Sequence, residues 1–203
     1  MILMSKIIKG IDESASDDKI LRTVGNDIIC YHGSPNKFEK PRLVKSDLIT
    51  SEDNLVEGLG IYCLNNKSLY DKYKYMYECY IKGSETDDLS SSKGINKWFN
   101  KFLKQFEKVT GMEKEMMFDA LGGKKEFISD VINGRYKITE SDFIRVTLDN
   151  NEYLYEFADD LCDWYDDNMI PKAFICKISG YKGLGIIIKD LSVITYWKMI
   201  KGE

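Results

Sequence analysis

The 203-residue sequence predicts an α+β fold, a single domain over residues 1–203 with a helical insertion at about 94–168. Three observations predict it. Short apolar or alternating runs bounded by Gly, Asn, Asp or Pro, the pattern of strands, fall into two groups near the two ends of the chain. The stretch between them instead repeats its apolar residues at helical spacing. The composition, 43% hydrophobic and 12% aromatic, is enough to fill a core and excludes a disordered chain.

Taken in order, residues 1–25 are polar and mixed, and the pattern around Asp17–Val24 predicts a short helix. The first group of strands is Ile28–His32, Gly60–Leu64 and Tyr77–Lys82. Between the last two, a helix beginning near Asn65 or Asn66 and running towards Tyr75 would carry Leu69, Tyr70 and Tyr73 on one face. The polar stretch Asp87–Lys93 reads as a linker loop. Asn96 suits the N-cap of a helix whose apolar stripe is Trp98, Phe99, Phe102, Leu103 and Phe106. Met116, Met117 and Leu121 mark a second helix stopped by Gly122-Gly123. Phe127, Ile128, Val131 and Ile132 mark a third, stopped near Gly134. Thr139 and Asp142 stand at capping-box spacing for a fourth. Leu154, Phe157, Ala158, Leu161, Cys162 and Tyr165 form the last stripe before Pro171. The second group of strands is Ala173–Ser179, Gly185–Lys189 and Val193–Lys198.

A net charge of −4, from 29 basic and 33 acidic residues, argues against broad electrostatic capture of nucleic acid. Five cysteines at positions 30, 63, 79, 162 and 176 include no C-x-x-C pair. Most lie in apolar runs, so they read as buried, reduced thiols and not as a disulfide framework or a metal site. The acids Asp159, Asp160, Asp163, Asp166 and Asp167 lack the ordered spacing of a calcium loop and read as a solvated helix face. No apolar run approaches the ~20 residues of a membrane span, and the N-terminus has no signal-peptide pattern. The expectation is a soluble, cytoplasmic protein with no membrane partner.

The chemistry-bearing pattern is Tyr31-His32-Gly33-Ser34 followed by Gly58-Leu59-Gly60-Ile61-Tyr62. His32, the only histidine, stands at the end of the apolar run Ile28-Ile29-Cys30. A neutral imidazole can accept from or donate to a hydroxyl without carrying charge. Gly33 lets a ligand approach the backbone, Ser34 adds a hydroxyl, and Pro35 turns the chain away. Tyr62, at a glycine-flanked strand entrance, offers a stacking surface for a planar heterocycle. The glycines lead into a strand and lack a third member, so a dinucleotide fingerprint is excluded.

These residues resemble the ADP-ribosyltransferase fold, in the His-Tyr-Glu branch typified by diphtheria toxin and the poly(ADP-ribose) polymerases. The arrangement HGS…FEKP…GLGIY…NNKSLYDKY…YECYIKG is similar to ADP-ribosyltransferase-like domains of bacteria and phages, over residues 28–83 and more loosely over 173–198. The resemblance implies a split β-sheet core and NAD as substrate. It implies that His32 holds the adenosine ribose and that Gly33, with Ser34 at the turn, holds the nicotinamide carboxamide. Tyr62 and Tyr73 would sandwich the nicotinamide ring, Tyr70 competing for the second place, and Ser68 would reach the amide. His32 and Tyr62 are the catalytic candidates, and no metal is implied. The implied activity is mono-ADP-ribosylation of a macromolecular acceptor, a protein side chain or a nucleic-acid base. The glutamate of the family's third strand falls at Gly185, so the acid comes from elsewhere or the chain is a degenerate relative that binds or inhibits. Asp190, Glu78, Glu152 and Glu156 are the acids that the sequence offers.

Overall fold

The computed structural model describes residues 21–43, 60–67, 73–177 and 183–202. Among these residues the structure is mixed α/β: eight strands form one mixed sheet, and five helices follow one another between two of its strands. The strands are β1 (Arg22–Val24), β2 (Asp27–Ser34), β3 (Ile61–Leu64), β4 (Tyr75–Lys82), β5 (Thr86–Asp88), β6 (Ala173–Lys177), β7 (Leu184–Ile188) and β8 (Ile194–Lys201). The helices are α1 (Ser92–Thr110), α2 (Lys114–Ala120), α3 (Lys124–Ile132), α4 (Asp142–Asp149) and α5 (Ala158–Asn168).

The sheet order is β5-β6-β7-β3-β2-β4-β8, with β1 hairpinned onto β2. All pairings are antiparallel except β5 with β6. That parallel pair is the one that needs a long crossover, and the five helices supply it. The helical core is aromatic: Trp98, Phe99, Phe102, Phe106, Phe127 and Tyr165 are all buried. It packs on one face of the sheet through Tyr62, Phe174, Cys176 and Ile187. A second core on the opposite face joins Ile28, Cys30, Cys63, Cys79, Ile81 and Ile186, with Leu191, Ile194 and Trp197 packed against it.

Four local expectations are corrected. Arg22–Val24 is strand, not helix, because Gly25 adopts a left-handed φ of 60° and turns the chain back onto β2. The supposed linker at Asp87–Lys93 is ordered: β5 pairs with β6, and the Asp88 carboxylate accepts from Ser90 N–H at 3.0 Å and from the Ser91 hydroxyl at 2.8 Å. Ser91, not Asn96, is the N-cap of α1, its Oγ accepting from Gly94 N–H at 3.1 Å. Asn96 lies inside the helix and donates to the Ser92 carbonyl. Thr139 does not cap α4. Its N-cap is Ser141, whose N–H and hydroxyl both donate to Asp166 of α5. Asp166 and Asp159, which bonds Arg145, are therefore partnered members of the acidic helix face.

The predicted helix after Asn66 falls mostly outside the described residues, and Tyr75 opens β4. The predicted end of the Ala173–Ser179 strand also lies outside them.

The start of α1 is tightly fitted to β5. A Cβ on Gly94 would stand 1.7 Å from the Asp88 carbonyl oxygen, a backbone atom that cannot swing aside. Gly94→Ala is expected to cost about 3 kcal/mol. Chemical denaturation checks this; a midpoint unchanged from wild type would contradict the contact.

Candidate functional site

β2 and β3 carry the two sequence motifs, and the ladder between them consists of the single pair Tyr31↔Leu64. On its other edge β2 pairs with β4 along its whole length, from Asp27↔Lys82 to Ser34↔Tyr75. β3 likewise pairs fully with β7. The sheet is thus two well-hydrogen-bonded halves that part just beyond Tyr31. His32 stands at the parting. Its Nδ1 lies 2.9 Å from the Tyr62 carbonyl oxygen, so the imidazole takes over a link that continued strand pairing would have made. A carbonyl only accepts, so Nδ1 carries the proton and Nε2 is an acceptor. Nε2 has no hydrogen-bond partner among the described residues.

Alternation along the strands separates the two candidate rings. His32 shares a face with Cys30, Cys63 and Cys79, whereas Tyr62 packs on the helical core of the other face. Tyr73 precedes β4 and packs on Tyr31, Leu64 and Met76, residues of Tyr62's face. Gly33 is extended, half-buried and opposite Met76. Ser34 is buried, and its Oγ accepts from Asn36 N–H at 3.0 Å, which commits it to the turn after β2. Ser68, Tyr70, Gly58 and Leu59 lie outside the described residues.

The His32 face is an aromatic box that the sequence motifs did not announce. Its ring centroid is 5.8 Å from Trp197, 6.2 Å from Tyr77 and 6.4 Å from Phe38. Trp197 stacks on Tyr77 at 4.9 Å, and the Tyr77 hydroxyl accepts from Phe38 N–H. The Arg42 guanidinium lies 4.8 Å from the centre of the Phe38 ring. Trp197 Nε1 is buried without a hydrogen-bond partner, the one such side-chain atom among the described residues. Leaving a buried donor unpaired costs about 1–3 kcal/mol, so an aromatic without an N–H would fill this place more stably. The signal available in sequence was weak: a tryptophan in a terminal strand usually reads as core.

Burial pulls the His32 pKa below its ordinary 6.5, and the Tyr62 carbonyl and the neighbouring Cys79 oppose that pull. The imidazole is neutral at pH 7. Beneath it, Cys30, Cys63 and Cys79 lie on three adjacent strands, all fully buried and all free thiols. Hydrogen bonding from the S–H groups of Cys30 and Cys63 lowers Cys79 to about 5, while Cys30 is raised. Among the described residues no group of three or more His, Cys, Asp or Glu side chains could hold a metal ion.

The depressed histidine pKa makes stability pH-dependent. Above 6.5 both folded and unfolded histidine are neutral. Below it the unfolded chain takes up a proton that the folded one resists, so stability falls as pH drops through that range. Because His32 is the only histidine, its ring signals should titrate below pH 6.5 in the folded protein. Midpoints at or above 6.5 would contradict the buried, neutral imidazole.

The acids are placed as follows. Gly185 is buried on β7, opposite Leu64, and brings no side chain to the parting. Glu78 is on β4 and accepts from the Tyr80 hydroxyl at 3.1 Å. Asp190 caps the turn after β7 by accepting from Ser192 N–H, and Glu152 and Glu156 are exposed in the helical layer. The structure brings His32, Gly33 and the Tyr62 backbone together at the parting, with Glu78 opposite Tyr31 on the neighbouring strand. No helix among the described residues is long and apolar enough to cross a membrane.

Comparison with family models, with curated proteins and with solved structures finds no match to this chain.

Proposed function

We propose that the chain is a mono-ADP-ribosyltransferase of the ADP-ribosyltransferase fold, binding NAD where β2 and β3 part. The observation that supports this most is the parting itself: two sheet halves joined by one residue pair, with a neutral histidine bridging the gap. NAD would pass round this end of the sheet beside Gly33, which has no side chain to obstruct it. The adenosine ribose would lie on the His32 face, where Nε2 accepts from a hydroxyl. The nicotinamide would lie on the other face, between Tyr62 and Tyr73, its carboxamide held by the Gly33 backbone.

Held in this way, the nicotinamide ribose is presented with its glycosidic carbon open to a nucleophile. The bond from that carbon to the nicotinamide nitrogen breaks, nicotinamide leaves with the electron pair, and a nucleophile of the acceptor takes its place. A protein side chain or a nucleic-acid base has the required lone pair. The helices between β5 and β6 would present the acceptor. Without a carboxylate at Gly185, the developing cation lacks the electrostatic stabilisation that usually dominates such steps. Turnover is therefore expected to be slow and to rest on positioning.

Gly185 and the placement of Glu78, Asp190, Glu152 and Glu156 favour one second reading, a relative that binds NAD without cleaving it. Free nicotinamide released from NAD by the purified protein, beside a Tyr62→Ala variant, separates the two. Release abolished by the substitution supports the transferase. Binding with no release at any acceptor tested supports the degenerate relative.

A further inference from the structure

We infer that Trp197 is a ligand-binding residue: its indole N–H and the free Nε2 of His32 form a donor–acceptor pair that takes two neighbouring hydroxyls of one ribose. This rests on the NAD reading above and adds to it a residue from β8, far along the chain from the histidine motif. Cross-strand pairing explains the placement. Trp197 is opposite Cys79 on β4, and Cys79 is opposite Cys30 on β2, two residues before His32 on the same face. The two rings consequently stand 5.8 Å apart, with Tyr77 against both and Phe38 against the imidazole.

The chemistry selects the ligand group. With Nδ1–H engaged by the Tyr62 carbonyl, Nε2 can only accept, while the indole N–H can only donate. A phosphate would satisfy the indole and leave Nε2 without a proton to accept. An ammonium would satisfy Nε2 and leave the indole without an acceptor. A pair of adjacent hydroxyls satisfies both, one donating to Nε2 and its neighbour accepting from Nε1–H. The remaining wall is the turn after β2, where Phe38 is half-buried between exposed Lys37 and Glu39.

The test uses calorimetric NAD binding by the wild type and by Trp197→Phe, which keeps an aromatic ring while removing the N–H together with the second ring of the indole. It adds an NAD analogue lacking one adenosine-ribose hydroxyl, with the 2′ and 3′ positions tried in turn. Trp197→Phe should bind NAD about tenfold more weakly, as loss of one hydrogen bond does. One of the deoxy analogues should lose about tenfold on the wild type and nothing further on Trp197→Phe. A variant that merely disturbed the core would leave the deoxy penalty intact. In the wild type alone, the indole N–H proton resonance of Trp197 should shift on adding NAD, a readout that does not depend on how the variant folds. NAD binding that is equal in wild type and Trp197→Phe, with an unmoved indole resonance, overturns this inference and leaves the NAD reading standing. No NAD binding by the wild type overturns both.

Discussion

His32→Ala is expected to weaken NAD binding by about 2 kcal/mol, roughly thirtyfold. Two losses combine. The ligand loses the Nε2 acceptor, and the parting of β2 and β3 loses the Nδ1–H link to the Tyr62 carbonyl at 2.9 Å. The second loss removes that link at the place where the ligand must fit. His32→Gln gives an informative contrast, because its amide can donate to that carbonyl while offering the ligand a poorer acceptor. It should recover part of the stability and little of the affinity. Calorimetry on the two variants checks this, and equal NAD affinity in wild type and His32→Ala would contradict it.

The second large effect concerns the helical layer. Phe99 is buried, with its ring centroid 4.3 Å from Phe127, 5.4 Å from Phe102 and 5.8 Å from Phe118. It therefore ties α1 to both α2 and α3. Phe99→Ala removes a whole ring from the centre of an aromatic-rich core and is expected to cost about 4 kcal/mol. For a domain of this size the melting temperature should fall by about 10 °C. NAD binding should survive below the new melting temperature, because Phe99 packs in the helical core and not on the His32 face. A loss under about 1 kcal/mol in thermal or chemical unfolding would mean that the layer is not built around this ring.

What could be read from the sequence follows from what is local. β2, β3, β4, β6 and β7 show as apolar runs because the central part of this sheet is buried on both faces, and β8 shows although it is a largely exposed edge strand. α1, α2 and α3 show because their apolar stripes are stopped by glycines, Gly111, Gly122 and Gly134 adopting the left-handed φ that helix ends favour. β5 was not legible. Thr86–Asp88 has no apolar pattern and becomes a strand only because β6, far along the chain, lies beside it. β1 had a signal that went unused, the Gly25-Asn26 turn ahead of a strand.

The candidate site was half legible for the same reason. His32, Gly33 and Tyr62 stand in motifs, so their residue types draw attention. That the His32 and Tyr62 rings point to opposite faces depends on the Tyr31↔Leu64 register, which no spacing reveals. Trp197 and Phe38 join His32 through pairing across two strands and through a turn. Their contribution exists only in the folded sheet.

The most direct test is nuclear magnetic resonance of the His32 ring during addition of NAD. The chain has one histidine, so the signals need no deconvolution. The account predicts a saturable shift of the Nε2 resonance while Nδ1 keeps its proton. Ring signals that do not move at millimolar NAD would contradict it.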